Sequence, residues 1–229
     1  MGRTINFRCD ATLTRQAAGT IADIMPTNLF RPIGLRELEL LWDSGMREFP
    51  QRLENQPIFY PVVNLEYARQ IARDWNTPDA KSGFSGFVTK FEVSSTYLSK
   101  YELHTAGSAA HREYWIPAKE LSIFNKAING QISVEEGFFG PDYVGFQGDE
   151  NGFKGLNAVE QFSALLKMAD QDDFSAQVSA HRKTIFMNCL FWLNTNVSNL
   201  PCTSEQRDTF LTHLVNAWET DSIEVPLPI

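Results

Sequence analysis

Phe87-Val-Thr-Lys-Phe-Glu-Val93 alternates without a break, so Phe87, Thr89, Phe91 and Val93 share one face. A period of two specifies a β-strand, because successive side chains leave opposite faces of the pleat. Two helix signals precede this strand. Leu35 to Trp42 repeats apolar residues at 35, 38, 41 and 42, one helix face, and stops at Ser44-Gly45. Asn64 is a good N-cap for a helix that sets Leu65, Ala68, Ile71, Ala72 and Trp75 on one side. Ahead of each helix stands a short strand, Asn28 to Gly34 before the first and Pro57 to Val63 before the second. Pro32 cannot donate to a ladder, which suggests an edge or a strand end.

Downstream, Ser94-Ser95 caps a short turn through Tyr101, and Tyr101 to Thr105 is a further strand. Gly107-Ser-Ala-Ala-His-Arg-Glu-Tyr-Trp-Ile-Pro117 then runs from a small-residue turn into a strand. His111 and Glu113 point to one face of it, Arg112 and Tyr114 to the other. Pro117 suits a first helical turn. The expected helix carries Leu121, Phe124 and Ile128 inward and ends at Gly130, followed by a last strand from Gln131 to Val134. Glycines 137, 140, 145, 148, 152 and 155 mark a connection with no GxGxxG or Walker spacing, hence no phosphate cradle. Helices over about 157–169, 173–194 and 204–219 complete the chain, the last capped by Thr203 or Ser204.

Strands alternate with helices before residue 135, and only helices follow residue 155. This order predicts an α+β fold with a helical C-terminal layer. The expected parts are an N-terminal arm over 1–27, an α+β domain over 28–135, a glycine-rich connection over 136–155 and a helical region over 156–229. Within the arm, Thr4 to Phe7 reads as a strand and Ala11 to Ile24 as a helix broken at Gly19.

Composition narrows the functional classes. The chain has 229 residues, 43% hydrophobic and 12% aromatic, enough for a packed core. A charged share of 21% is too low for a disordered acidic chain. The net charge of -8, with scattered basic residues, argues against a general nucleic-acid surface. Cys9, Cys189 and Cys202 lack CxxC spacing, so they suit a reducing cytosol better than a zinc ribbon or disulfide scaffold. No apolar run nears the roughly 20 residues that span a bilayer. The expectation is a cytoplasmic protein without a membrane segment. His181 and His213 have no ligand partner at i+4, and Asp170, Asp172 and Asp173 fall between helices, so no metal site is expected.

Several phrases resemble bacterial proteins of the ADP-ribosylation/crystallin family, which are similar to the ADP-ribosyltransferase fold. They are Leu29-Phe-Arg-Pro-Ile-Gly34, Gln56-Pro-Ile-Phe-Tyr-Pro-Val62, Tyr67-Ala-Arg-Gln-Ile-Ala-Arg-Asp-Trp75 and His111-Arg-Glu-Tyr-Trp-Ile-Pro-Ala118. Phe138-Phe-Gly-Pro-Asp-Tyr143 and Ile185-Phe-Met-Asn-Cys-Leu-Phe-Trp192 extend the likeness. The resemblance implies a split β-sheet core and NAD as substrate. It implies Arg31 on the first strand as a phosphate clamp and Tyr60 as a stacking partner of nicotinamide. Glu113 would be the catalytic carboxylate and His111 a second catalytic residue, holding a ribose hydroxyl or acting as a base toward an acceptor. Ser94-Ser95-Thr96 resembles a Ser-Thr-Ser motif but fits the order less well than Tyr60. His111 stands where many transferases carry Glu or Gln two residues before the catalytic Glu, which departs from arginine modification. The implied activity is ADP-ribosyl transfer to an unknown protein or nucleic-acid acceptor, or NAD glycohydrolysis. The alternative is a binding or scaffold module that meets a protein partner through its C-terminal helices.

Overall fold

A computed structural model describes residues 26–148, 152–220 and 225–229. The strand and helix expected within residues 1–25 lie outside the described residues.

The element order is β1 (Pro26–Ile33), α1 (Leu35–Asp43), β2 (Ile58–Phe59), α2 (Leu65–Gln70), β3 (Ser85–Ser94), α3 (Ser95–Leu98), β4 (Leu103–Thr105), β5 (Arg112–Tyr114), β6 (Ile116–Pro117), α4 (Leu121–Asn125), β7 (Ile128–Phe139), α5 (Ala158–Met168), α6 (Phe174–Ala180), α7 (Arg182–Asn194) and α8 (Ser204–Glu219). This is an α+β fold with a small antiparallel sheet. β3 is its middle strand, paired with β1 on one side and β7 on the other.

The sheet continues past β1 through one residue. Phe30 and Val62 exchange both backbone hydrogen bonds at 2.8 Å. Val62 in turn bridges to Glu113. Residues 57–63 and 112–118 run antiparallel in one constant register: Ile58 faces Pro117, Phe59 faces Ile116 and Val62 faces Glu113. Ala118 N donates to Pro57 O, Tyr114 N to Pro61 O and Val63 N to Arg112 O along the same ladder. Prolines at 57 and 61 remove two donors, which is why the pairing breaks into short pieces. β4 closes this end, with His104 opposite Glu113.

The two sheet faces pack differently. One carries Leu29, Ile33, Phe87, Phe91 and Val93 against Phe49, Phe59, Phe124 and the helices. Phe49 lies 4.9 Å from Phe59 and 5.0 Å from Phe91 between ring centroids. The other face carries Val62 and Val88 against Tyr67, Ala68 and Ala72. Here α2 runs into a π-helical turn over Ile71–Asn76. The backbone approach is so close that a Cβ on Gly86 would stand 2.1 Å from Ala72 O. Asn64 caps α2, its Oδ1 accepting from Glu66 N and Tyr67 N. Trp75, expected on the inner side, is exposed, because the wider π-turn rotates it outward.

The C-terminal helices share the larger core. α7 is buried nearly all round, from Thr184 to Leu190 and at Trp192. Asn188 serves as its polar hub. Its Oδ1 accepts from Tyr143 Oη at 2.8 Å and Phe146 N at 2.9 Å, and its Nδ2 donates to Phe146 O and Gln161 Oε1. Thr203 and Gln206 form a capping box on α8, as Asn157 and Glu160 do on α5.

Three elements differ from expectation. The helix expected from Pro117 to Gly130 is a 3-10 turn plus the short α4, and Ile128 already begins β7. β7 continues past Val134 to Phe139, absorbing Gly137 into a strand where the glycine count suggested a connection. The helix expected over 173–194 is two helices meeting at His181.

Candidate functional site

Residues paired across a ladder share a face. Phe30, Val62, Glu113 and His104 therefore line one face of the sheet. The register adds Tyr60 and Trp115, two residues along each strand. Tyr67 and Gln70, three apart on α2, come down onto the same face from outside.

Glu113 sits at the centre of this group and is 8% exposed. Its Oε1 accepts from Trp115 Nε1 at 2.8 Å and its Oε2 from Tyr67 Oη at 3.5 Å. Burial and the Glu113 carboxylate raise the Tyr67 pKa above that of an ordinary phenol, so Tyr67 remains a donor. Among the described residues Glu113 pairs with no Lys or Arg. Two neutral donors thus orient the Glu113 carboxyl, and no countercharge stands beside it among the described residues.

His111 stacks on Tyr67 at 4.2 Å with the rings nearly parallel. Its Nδ1 lies 3.2 Å from Ala106 O and its Nε2 3.1 Å from Gln70 Oε1. With Nδ1 donating to the carbonyl, Nε2 accepts from the Gln70 amide in its flipped orientation. Both nitrogens are engaged, so His111 here clamps Tyr67 against the sheet. Tyr60 and Trp115 are 38% and 44% exposed and meet edge to face at 6.0 Å. His104 stacks on Trp115 at 4.2 Å. The group thus offers a buried carboxylate beside two accessible aromatic rings.

The fold brings Tyr60, His111 and Glu113 to one face and leaves Arg31 on the other. Arg31 follows Phe30 in β1 and so projects into the larger core. Glu37 of α1 takes both edges of its guanidinium, Nε to Oε1 at 2.8 Å and Nη2 to Oε2 at 3.2 Å. Its Cζ lies 4.5 Å over the Phe59 ring, and Nη1 reaches only the Tyr60 carbonyl, at 3.4 Å. Ser95, of the alternative Ser-Thr-Ser reading, bonds Thr27 Oγ1 at 2.8 Å at the far end of β1 and β3.

Sequence reasoning missed Tyr67, His104, Trp115 and Gln70. The Tyr67 signal was present: it falls in the first turn of a capped helix that follows a strand ending beside Glu113. His104 and Trp115 required the β4–β5 register, which no local pattern encodes. The described clefts lie elsewhere. One, of about 580 Å³, is lined by Phe139, Tyr143, Phe191 and Asn194. Another, of about 490 Å³, runs along α5. No group of three His, Cys, Asp or Glu side chains fit to hold a metal occurs among the described residues. No described helix is long and apolar enough to cross a membrane. No family model, curated protein or solved structure matches the chain.

Proposed function

We propose that the Glu113 face cleaves the bond between ribose and nicotinamide in NAD, in the cytoplasm, as an ADP-ribosyltransferase or NAD glycohydrolase built on an ADP-ribosyltransferase-like fold. The supporting observation is the Glu113 carboxylate itself: buried, oriented by Trp115 and Tyr67, and free of a cationic partner among the described residues. As the glycosidic bond breaks, its electron pair leaves with nicotinamide and positive charge develops on the ribose carbon. A preoriented carboxylate offsets that charge, as in glycoside cleavage. The nucleophile, water or an acceptor on protein or nucleic acid, closes on the same carbon and gives up its proton to Glu113. Tyr60 and Trp115 supply ring faces for the planar nicotinamide. His111 holds Tyr67, and through it the carboxylate.

Incubation with labelled NAD and cell extract tests this reading. Label on a macromolecule supports transfer, and free ADP-ribose supports hydrolysis. Absence of both, with no nicotinamide released, contradicts it.

One observation favours a second reading, a binding module without catalysis. Arg31, the expected phosphate clamp, is consumed by Glu37 on the opposite face. A partner protein retained through residues 156–229, with no heat of NAD binding, supports that alternative.

A further inference from the structure

Arg31 and Arg52 share a single carboxylate. Their side chains are only 9% and 12% exposed, and Glu37 lies between them. Arg31 takes both Glu37 oxygens at hydrogen-bond distance. Arg52 is left with a contact of 3.8 Å from Nη1 to Oε1, too long for a hydrogen bond. Arg52 Nε is buried and has no hydrogen-bond partner. Among the described residues, no other ion pair is formed by Arg52. Two largely buried guanidinium groups against one carboxylate leave an excess positive charge in a poorly solvated place, which is costly unless an anion answers it. The stress registers on Arg52, whose pKa is lowered by burial first and by neighbouring Arg31 second, with the Tyr60 phenol also within electrostatic reach.

We infer that Arg52 is an oxyanion-binding residue, with phosphate as the ligand group, at the edge of the sheet beside Tyr60. A guanidinium presents paired N–H groups that match phosphate oxygens. Arg31 contributes its charge at short range, while Glu37 opposes the anion and tunes its affinity. Residues 51–53 have no regular structure, so small shifts can open the buried Nε edge to the ligand. Nicotinamide release reports on Glu113 and phosphate binding on Arg52, so the two sites are tested separately.

Isothermal titration of the full chain with inorganic phosphate, AMP and acetate is the test. Phosphate is expected to bind with a Kd on the order of a millimolar, an affinity suited to a single subsite. Arg52→Gln should weaken it at least about tenfold, the scale of one charge-assisted hydrogen bond, and Arg52→Lys should restore part of it. Glu37→Gln should tighten it by removing the competing carboxylate. AMP binding more tightly than phosphate marks a nucleotide as the source of the group, and equal affinity marks free phosphate. Phosphate failing to bind, acetate matching it, or Arg52→Gln binding it as well as wild type would overturn the inference.

Discussion

Arg31 and Glu113 stand on opposite faces of one sheet. Glu113 shares its face with Phe30 through the Val62 bridge, and Arg31, one residue along β1, points the other way into a pair with Glu37. Among the described residues, a carboxylate without a cation therefore lies on one side of the Tyr60 segment, and a cation without a full anion, Arg52, on the other.

This arrangement gives Arg31 a structural role. Removing one partner of a buried pair commonly costs about 3–5 kcal/mol. Here Arg52 can move in on Glu37, so Arg31→Met should cost less, about 1–3 kcal/mol by urea denaturation. On the proposed function, NAD cleavage per folded molecule should be unchanged. A stable Arg31→Met protein that has lost NAD binding would show instead that Arg31 touches substrate.

Asn188 uses its full hydrogen-bonding capacity inside the core. Asn188→Ala strands the Tyr143 hydroxyl, the Phe146 N–H, in part the Phe146 carbonyl, and the Gln161 side-chain carbonyl. Each unmet buried group costs about 1–3 kcal/mol, and Gln161 Nε2 still serves Phe146 O. The expected loss is about 3–5 kcal/mol in an equilibrium unfolding curve. A loss below about 1 kcal/mol would mean that water or repacking replaces the hub.

Two glycines should behave in contrast. At Gly86 an added methyl meets the rigid Ala72 carbonyl, so Gly86→Ala must push α2 off the sheet and should unfold or severely destabilise the chain. At Gly45 nothing stands within 4 Å and φ is +70°, so Gly45→Ala should cost only about 1 kcal/mol, from backbone strain. Parallel thermal melts decide the matter, and equal shifts would contradict the close packing at Gly86.

Alkaline pH should weaken the fold. Burial raises the Tyr143 pKa above the ordinary 10.0, and Tyr67 and Tyr101 shift in the same direction. Above pH 10 the unfolded phenols lose protons that the folded ones keep. The folded state then holds more protons, so stability falls as pH rises, while below pH 10 this contribution is complete. One buried phenol supplies a slope of at most about 1.4 kcal/mol per pH unit. Tyr143→Phe should flatten the decline in stability measured from pH 9 upward, and an unchanged slope would remove Tyr143 as its source.

Local chemistry made much of this legible from the residues alone. The alternation of Phe87 to Val93, the Asn64 cap and the Thr203 cap each specify an element through contacts a few residues away, and each stands where expected. What local pattern could not supply was which face a strand residue meets. The side of Arg31 depends on Val62 pairing with Phe30 rather than with a neighbour, a long-range choice that flips a side chain for a one-residue change. Gly137 misled for a related reason: its lack of a side chain answers close packing by Leu190 and Phe139, not a loop.

On the proposed function, Glu113 stabilises cleavage of the nicotinamide–ribose bond. Nicotinamide release from NAD, followed by chromatography for wild type and Glu113→Gln, tests it most directly. Release by wild type that falls at least about a hundredfold in the variant, the scale of losing one preorganised electrostatic group, is the expected result. No release by wild type, or an equal rate in Glu113→Gln, would contradict the account.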